Sequence, residues 1–141
     1  MADLEALIRV RRHAVEQKQK FLAELYKQAD ELEGQKEAMI KTLAEERKKV
    51  DEMGVEALGY FGHYSEAVRG RVEDIDEAMA KLNNRIEHAR EDMRDAFADL
   101  KKVEITQERR EAEDDKELKK KENDLMDEIA LEGYRRAQEE G

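Results

Sequence analysis

The chain has 141 residues, 37 of them acidic and 27 basic, so its formal charge is −10. It contains no cysteine, which excludes disulfide bonds and thiolate metal sites, and no proline, so nothing forces a helix to kink. Charged residues make up 45% of the sequence, too many for an ordinary globular core, because unpaired charges are costly to bury. This composition is typical of a coiled coil or a long helix.

A first long helix is predicted over residues 3–53. From Leu4 onward, apolar residues recur at alternating spacings of four and three, and this seam includes Leu22, Leu25, Leu32 and Leu43. Strands repeat every two residues, so this period indicates a coiled coil with a left-handed supercoil.

Polar residues interrupt the first seam at Arg11, Lys18 and Lys36. Their aliphatic stems can lie along the seam while their charges stay in water. Two interpretations stay open: these residues tune the register or the choice of partner, or a marginal helix pair simply tolerates them.

A turn is predicted over residues 54–63. Gly54, Gly59 and Gly62 fall within nine positions, the heptad phase is lost there, and each glycine weakens a helix by about 1 kcal/mol relative to alanine.

Three aromatic residues cluster at this turn, namely Tyr60, Phe61 and Tyr64. Either they close the end of the helix pair, or they form an exposed contact for a partner, because aromatic side chains are favoured at binding hot spots.

A second helix is predicted over residues 64–136. From Val68 to Val103 every seam position is apolar, and this seam includes Ile75, Leu82, Ile86 and Leu100. After Val103 the register fails, and a weaker apolar pattern returns at Leu118, Leu125 and Ile129. Such a phase shift is typical of a stutter.

The two seams predict an all-α fold: a long antiparallel two-helix coiled-coil hairpin forming a single domain over residues 1–141. If Met53 lies opposite Tyr64, then Leu4 lies opposite Ala112 or Glu113, so residues after about 113 form a C-terminal helical overhang. The rival arrangement is one continuous helix that dimerises in parallel, and the three glycines in its middle argue against it.

Several function classes are disfavoured. The acidic balance repels phosphate backbones and disfavours nucleic-acid binding. His13, His63 and His88 lie far apart and lack the Glu-x-x-His spacing of di-iron bundles, so no metal site is expected. Carboxylates on a two-helix rod face water, and without a cleft to shift their pKa values we expect neither an enzyme nor a bound cofactor.

No membrane span is expected, because no segment approaches about 18 apolar residues. Asp3, Glu5 and Arg9 interrupt the apolar stretch at the start of the sequence, which is therefore unlike a signal peptide. We expect a cytoplasmic protein.

Three segments resemble one known family. They are LIRVRRHAVE with LAEL (residues 7–16 and 22–25), HAREDMRDAFADLKKVE (residues 88–104) and ENDLMDEIALEGYRR (residues 122–136). The last contains Asp127 and Glu128, which resemble an acidic pair common near the end of that family. In their order and in the size of the chain they resemble the flagellar FliJ family, the stalk proteins of the flagellar type III export apparatus.

The resemblance implies an antiparallel two-helix coiled coil similar to the central stalk of rotary ATPases. It implies binding to the flagellar export ATPase hexamer with the terminal end in the pore of the ring. It also implies contact with the cytoplasmic part of the export gate membrane protein, service to export chaperones, and a peripheral location at the cytoplasmic face of the inner membrane.

On this resemblance the overhang enters the ring, and basic and apolar side chains on and beside it are the candidate contacts. They are Arg109, Arg110, Leu118, Lys119, Lys120, Lys121, Leu125, Ile129, Arg135 and Arg136. The family's gate-binding surface is not carried over, because Ala67, Arg71 and Asp74 stand where apolar contacts would be expected.

The alternative function is a coiled-coil chaperone or adaptor: a holdase of prefoldin type or a general scaffold. A prefoldin-like holdase would need paired strands at the helix junction, and VEALGYFGHY lacks two such strands around a two-residue turn. A membrane-surface helix is hinted at by Arg9, Arg11 and Arg12, but the acidic balance disfavours it.

Overall fold

Two long helices account for nearly all of the described chain. In the computed structural model, which describes residues 3–140, α1 spans Glu5–Met53 and α2 spans Val55–Glu140. The two helices pack against each other, and residues 3–140 contain no strand. The predicted all-α helical hairpin is therefore confirmed.

The chain divides into two compact units. The first comprises residues 13–97, which are most of α1 and the first half of α2. The second comprises residues 3–12 together with α2 from Ala98 onward. The single domain expected over residues 1–141 stays a prediction.

The core of the 13–97 unit is a small apolar cluster formed by both helices. Its buried members are Leu22, Leu25, Leu82, Ile86 and Ala89, with Ala29, Leu32 and Met93 packed against them. Leu25 is the most deeply buried of these, at 1% exposure. The buried positions repeat at spacings of three, four and seven, because only one stripe of each helix can face its partner.

Other seam residues follow the same stripe. Ile75 and Leu100 are buried, while Leu43 is half-buried. Met53, the last position of the first seam, is instead 75% exposed, because α1 ends at this residue.

Polar contacts cross between the helices beside this core. Lys36 Nζ donates to Asp76 Oδ1 at 2.8 Å, and this hydrogen bond, helped by the charge of the carboxylate, raises the pKa of Lys36. Arg90 Nε donates to the Tyr26 hydroxyl at 2.7 Å. Lys36 thus has a partner on the opposite helix, whereas Lys18 is exposed to solvent.

The connection between the helices is shorter than predicted. Residues 55–63, for which we expected a turn, are helical, and only Gly54 separates α1 from α2. Gly54 has φ of +98°, and its N–H donates to the carbonyl of Val50 at 3.3 Å. Glycine lowers helix propensity, but a helix ends only where the backbone leaves helical dihedral angles, and over residues 54–63 that happens at Gly54 alone.

Two glycine substitutions should therefore act in opposite directions. Gly54→Ala forces a side chain into the left-handed region and should lower the free energy of unfolding by about 1–2 kcal/mol. Gly59→Ala lies in a helix, where an added Cβ meets nothing within 4 Å, and should raise it by about 0.5–1 kcal/mol. Urea unfolding followed by circular dichroism measures both, and equal effects of the same sign would contradict the assigned helix end.

Candidate docking segment

In the second unit, residues 4–12 lie against α2. The Leu4 N–H donates to Gln107 Oε1 at 3.2 Å, and Arg12 Nη2 lies 3.7 Å from Glu104 Oε1. We predicted Ala112 or Glu113 opposite Leu4, so the observed register is displaced by about one and a half helical turns. The displacement is toward the start of α2. A connection shorter than predicted accounts for this direction, because each residue of α1 then lies opposite an earlier residue of α2.

Within the described residues, α2 continues past these contacts as an exposed helix. Every residue of the segment 111–140, which we call the overhang, is helical and exposed. Leu4 contacts Gln107, and Arg110 is the last half-buried residue of α2 in the described chain, so the overhang lies past the part of α2 that α1 covers. A lone helix in water draws its stability mainly from local hydrogen bonds and side-chain pairs, since it has no packing partner.

The overhang carries an apolar stripe. Leu118, Leu125, Met126 and Ile129 have exposed fractions between 56% and 68%. Their spacings of seven, one and three place them within about 100° of the helix circumference. Burying such side chains against a partner contributes roughly 1–2 kcal/mol each, so this stripe is suited to a groove or to another helix.

Charge surrounds the stripe. The overhang has twelve acidic and six basic side chains, so its formal charge is −6 of the −10 of the whole chain. Lys119 Nζ pairs with Asp115 Oδ2 at 3.3 Å, one helical turn away. Exposed pairs of this kind contribute little stability, and their charges remain available to a partner.

The ten candidate contacts all lie on the helical surface of the second unit. Arg110 is half-buried, and the other nine are exposed. The basic ones do not share a face, because Lys119, Lys120 and Lys121 are consecutive and project about 100° apart. The stripe is therefore the directional feature of the overhang, and the basic side chains are distributed around it.

Three exposed apolar side chains of the overhang were not among the candidates: Met126, which lies in the stripe, and Leu131 and Tyr134. Leu131 and Tyr134 are 55% and 62% exposed, and the Tyr134 hydroxyl accepts a hydrogen bond from Gln138 Nε2 at 2.9 Å. Leu131 and Tyr134 lie away from the stripe on the helix circumference, where the seam spacing selects no residue.

The helix junction is a second exposed apolar region. Tyr60 is 78% exposed, whereas Phe61 and Tyr64 are half-buried and contact each other with ring centroids 6.5 Å apart. Val55 and Leu58, which no sequence pattern distinguishes, are also exposed. Of the three predicted tip aromatics, two therefore pack together and one faces solvent.

The three histidines are exposed, and within residues 3–140 no cluster of three acidic or histidine side chains is arranged to hold a metal ion. Over the same range, neither helix contains a stretch both long and apolar enough to cross a bilayer.

Comparison with known families decides the assignment of the chain. The family model described as flagellar FliJ protein matches residues 1–139. The chain belongs to the flagellar FliJ protein family. The resemblance noted from three sequence segments is thereby confirmed. No curated protein and no solved structure matches the chain.

As a FliJ-family protein, the chain is a component of the flagellar export apparatus, where it interacts with other parts of that machinery. The match to the FliJ family includes almost the whole overhang as well as both helices of the 13–97 unit. The overhang and the helix junction are thus parts of the FliJ-family sequence and not additions to it.

Proposed function

We propose that this chain is a non-enzymatic stalk that couples the flagellar export ATPase hexamer to the export gate. In this proposal the overhang binds the ring, and the helix junction, with Tyr60 exposed at its surface, lies toward the cytoplasmic part of the gate. The protein then works peripherally at the cytoplasmic face of the inner membrane and also serves export chaperones.

One observation carries the proposal. Thirty consecutive helical residues, 111–140, are exposed and present an apolar stripe that α1 does not cover. A helix of this kind gains most by inserting into a groove or pore that buries the stripe. Membership of the FliJ family supports the flagellar export apparatus as the place where that partner is found.

The charges of the overhang are suited to guiding its approach to the ring. Basic side chains such as Arg109, Lys120 and Arg136 can approach acidic loops of a ring, while the net charge of −6 disfavours deep burial in an acidic pore. Rim charges change the association rate and its dependence on salt more than they change affinity, so the stripe should supply most of the binding energy.

The alternative, a holdase of prefoldin type, is less well supported. Such an assembly would need strands at the helix junction, and within the described chain residues 55–63 are helical.

A single charge placed in the stripe should show whether the export ATPase binds the stripe or another part of the overhang. Leu125→Asp should weaken binding to the cognate export ATPase about thirtyfold, because it removes apolar burial and adds an unpaired charge. Leu131→Asp is the matched control: Leu131 is almost equally exposed but lies off the stripe, and its replacement should change affinity less than about threefold. Surface plasmon resonance measures both, and equal losses would contradict the stripe as the contact.

A further inference from the structure

The apolar stripe continues the face of α2 that α1 covers. Glu104 contacts Arg12 of α1, and Leu118 and Leu125 follow Glu104 by two and three heptads. Residues separated by whole heptads stay on nearly the same face of a helix, with a drift of about 20° per heptad. A second helix could therefore occupy this face just beyond the point where α1 begins.

A line of alternating charge runs beside the stripe. Asp114, Lys121, Glu128 and Arg135 are seven residues apart, so they lie along one flank with the signs minus, plus, minus, plus. All four are exposed, and in the part of the chain that the structure describes none of them takes part in an ion pair. Flanking charges of this kind choose the partner and the orientation in coiled coils.

Read in the opposite direction, this order of signs becomes plus, minus, plus, minus, so two antiparallel copies of the flank place opposite charges beside each other. We propose that the overhang pairs antiparallel with the overhang of a second copy of this chain. In antiparallel coiled coils equivalent flanks face each other, so Asp114 meets Arg135 of the second copy and Lys121 meets Glu128 of the second copy. By two-fold symmetry each of these two ion pairs forms twice, and all four ion pairs join opposite charges.

The positions that would face each other in the middle of such a helix pair, which form its seam, favour the same antiparallel orientation. The antiparallel register places Leu118 opposite Ile129 of the second copy and Leu125 opposite Glu122 of the second copy. A parallel, in-register pair would set five charged seam positions against their own copies, namely Glu111, Asp115, Glu122, Glu132 and Arg136. The antiparallel pair has like charges only where Asp115 meets Glu132, near its two ends, where water reaches them.

This dimer is short, so it should form and dissociate with protein concentration. It covers the stripe, and a chain paired in this way cannot offer the same stripe to another partner. This pairing needs no ATPase and does not depend on whether the overhang binds the ring.

Complementary charge reversal tests the pairing on the full-length chain. Lys121→Glu makes both facing flank positions acidic, and Glu128→Lys makes both basic, so each variant alone should dimerise about tenfold more weakly than the wild type. An equimolar mixture should recover wild-type association, because the two variants complement each other. Sedimentation velocity across a concentration series measures this.

Lys120→Glu and Asp127→Lys are the matched controls, since these residues are exposed on the face opposite the stripe. Each should dimerise like the wild type, alone and mixed. A wild-type chain that stays monomeric at all concentrations, or control variants that weaken association as much as the flank variants, would overturn the proposal.

Disulfide trapping tests the orientation, because the native chain has no cysteine. The double variant Leu118→Cys with Ile129→Cys should form covalent dimers on oxidation, because these positions face each other. Each single variant should not, because in the antiparallel pair a residue and its own copy lie roughly 16 Å apart along the axis. Cross-linking of the single variants would show a parallel pair and overturn the antiparallel register.

Discussion

Leu82→Asp should lower the melting temperature of the chain by about 10 °C or more. Leu82 is 5% exposed and belongs to the cluster of Leu22, Leu25, Ile86 and Ala89 that both helices form. An unpaired carboxylate in such a place costs several kcal/mol, and a two-helix core has few other contacts to offset the loss.

Leu131→Asp is the control for this prediction. It makes the same chemical change in the same helix, but Leu131 is 55% exposed, so the free energy of unfolding should change by less than about 0.5 kcal/mol. Circular dichroism during heating, at matched low protein concentration, measures both variants. An unchanged melting curve for Leu82→Asp would contradict the packing of the core.

Periodicity made the fold predictable from the sequence. Burial against one neighbouring helix demands an apolar residue about every 3.5 positions, and no other structure leaves that signature over such a length. The seam of α2 shows this plainly: Ile75, Leu82 and Ile86 were selected by spacing alone, and all three are buried. The seam was sufficient to predict two long helices packed as a hairpin.

The helix ends were less predictable. Gly54, Gly59 and Gly62 are equivalent in sequence, because each lowers helix propensity by a similar amount. Only Gly54 adopts a positive φ, while the other two lie within α2. Which glycine ends the helix depends on how the two helices pack, and a local pattern does not contain that information. The displaced register at Leu4 has the same origin.

The overhang was predictable in extent, but the molecule that covers it was not. An overhang was expected after about residue 113, and residues 111–140 are exposed. Its apolar side chains, Leu118, Leu125 and Ile129, follow from the returning heptad spacing. Which molecule covers those side chains depends on the partner, and the sequence of this chain does not identify it. Leu131 was missed because it lies outside the stripe, so no seam pattern selects it.

Truncation of the chain after Glu113 should abolish binding to the export ATPase and leave the rest of the hairpin folded. The truncation removes the whole stripe, which is the proposed source of affinity. It removes no buried residue, because all of the segment 111–140 is exposed, and it keeps the contacts of Arg12 with Glu104 and of Leu4 with Gln107. Helicity per residue by circular dichroism should therefore remain nearly unchanged.

The most direct test of the coupling role is ATP hydrolysis by the cognate export ATPase, titrated with the full-length chain and with the chain ending at Glu113. We predict that the full-length chain changes the hydrolysis rate saturably near stoichiometric ratios to the hexamer, and that the truncated chain leaves it unchanged. Equal effects of the two chains, or no effect of the full-length chain together with no co-elution, would contradict a stalk that acts through its overhang.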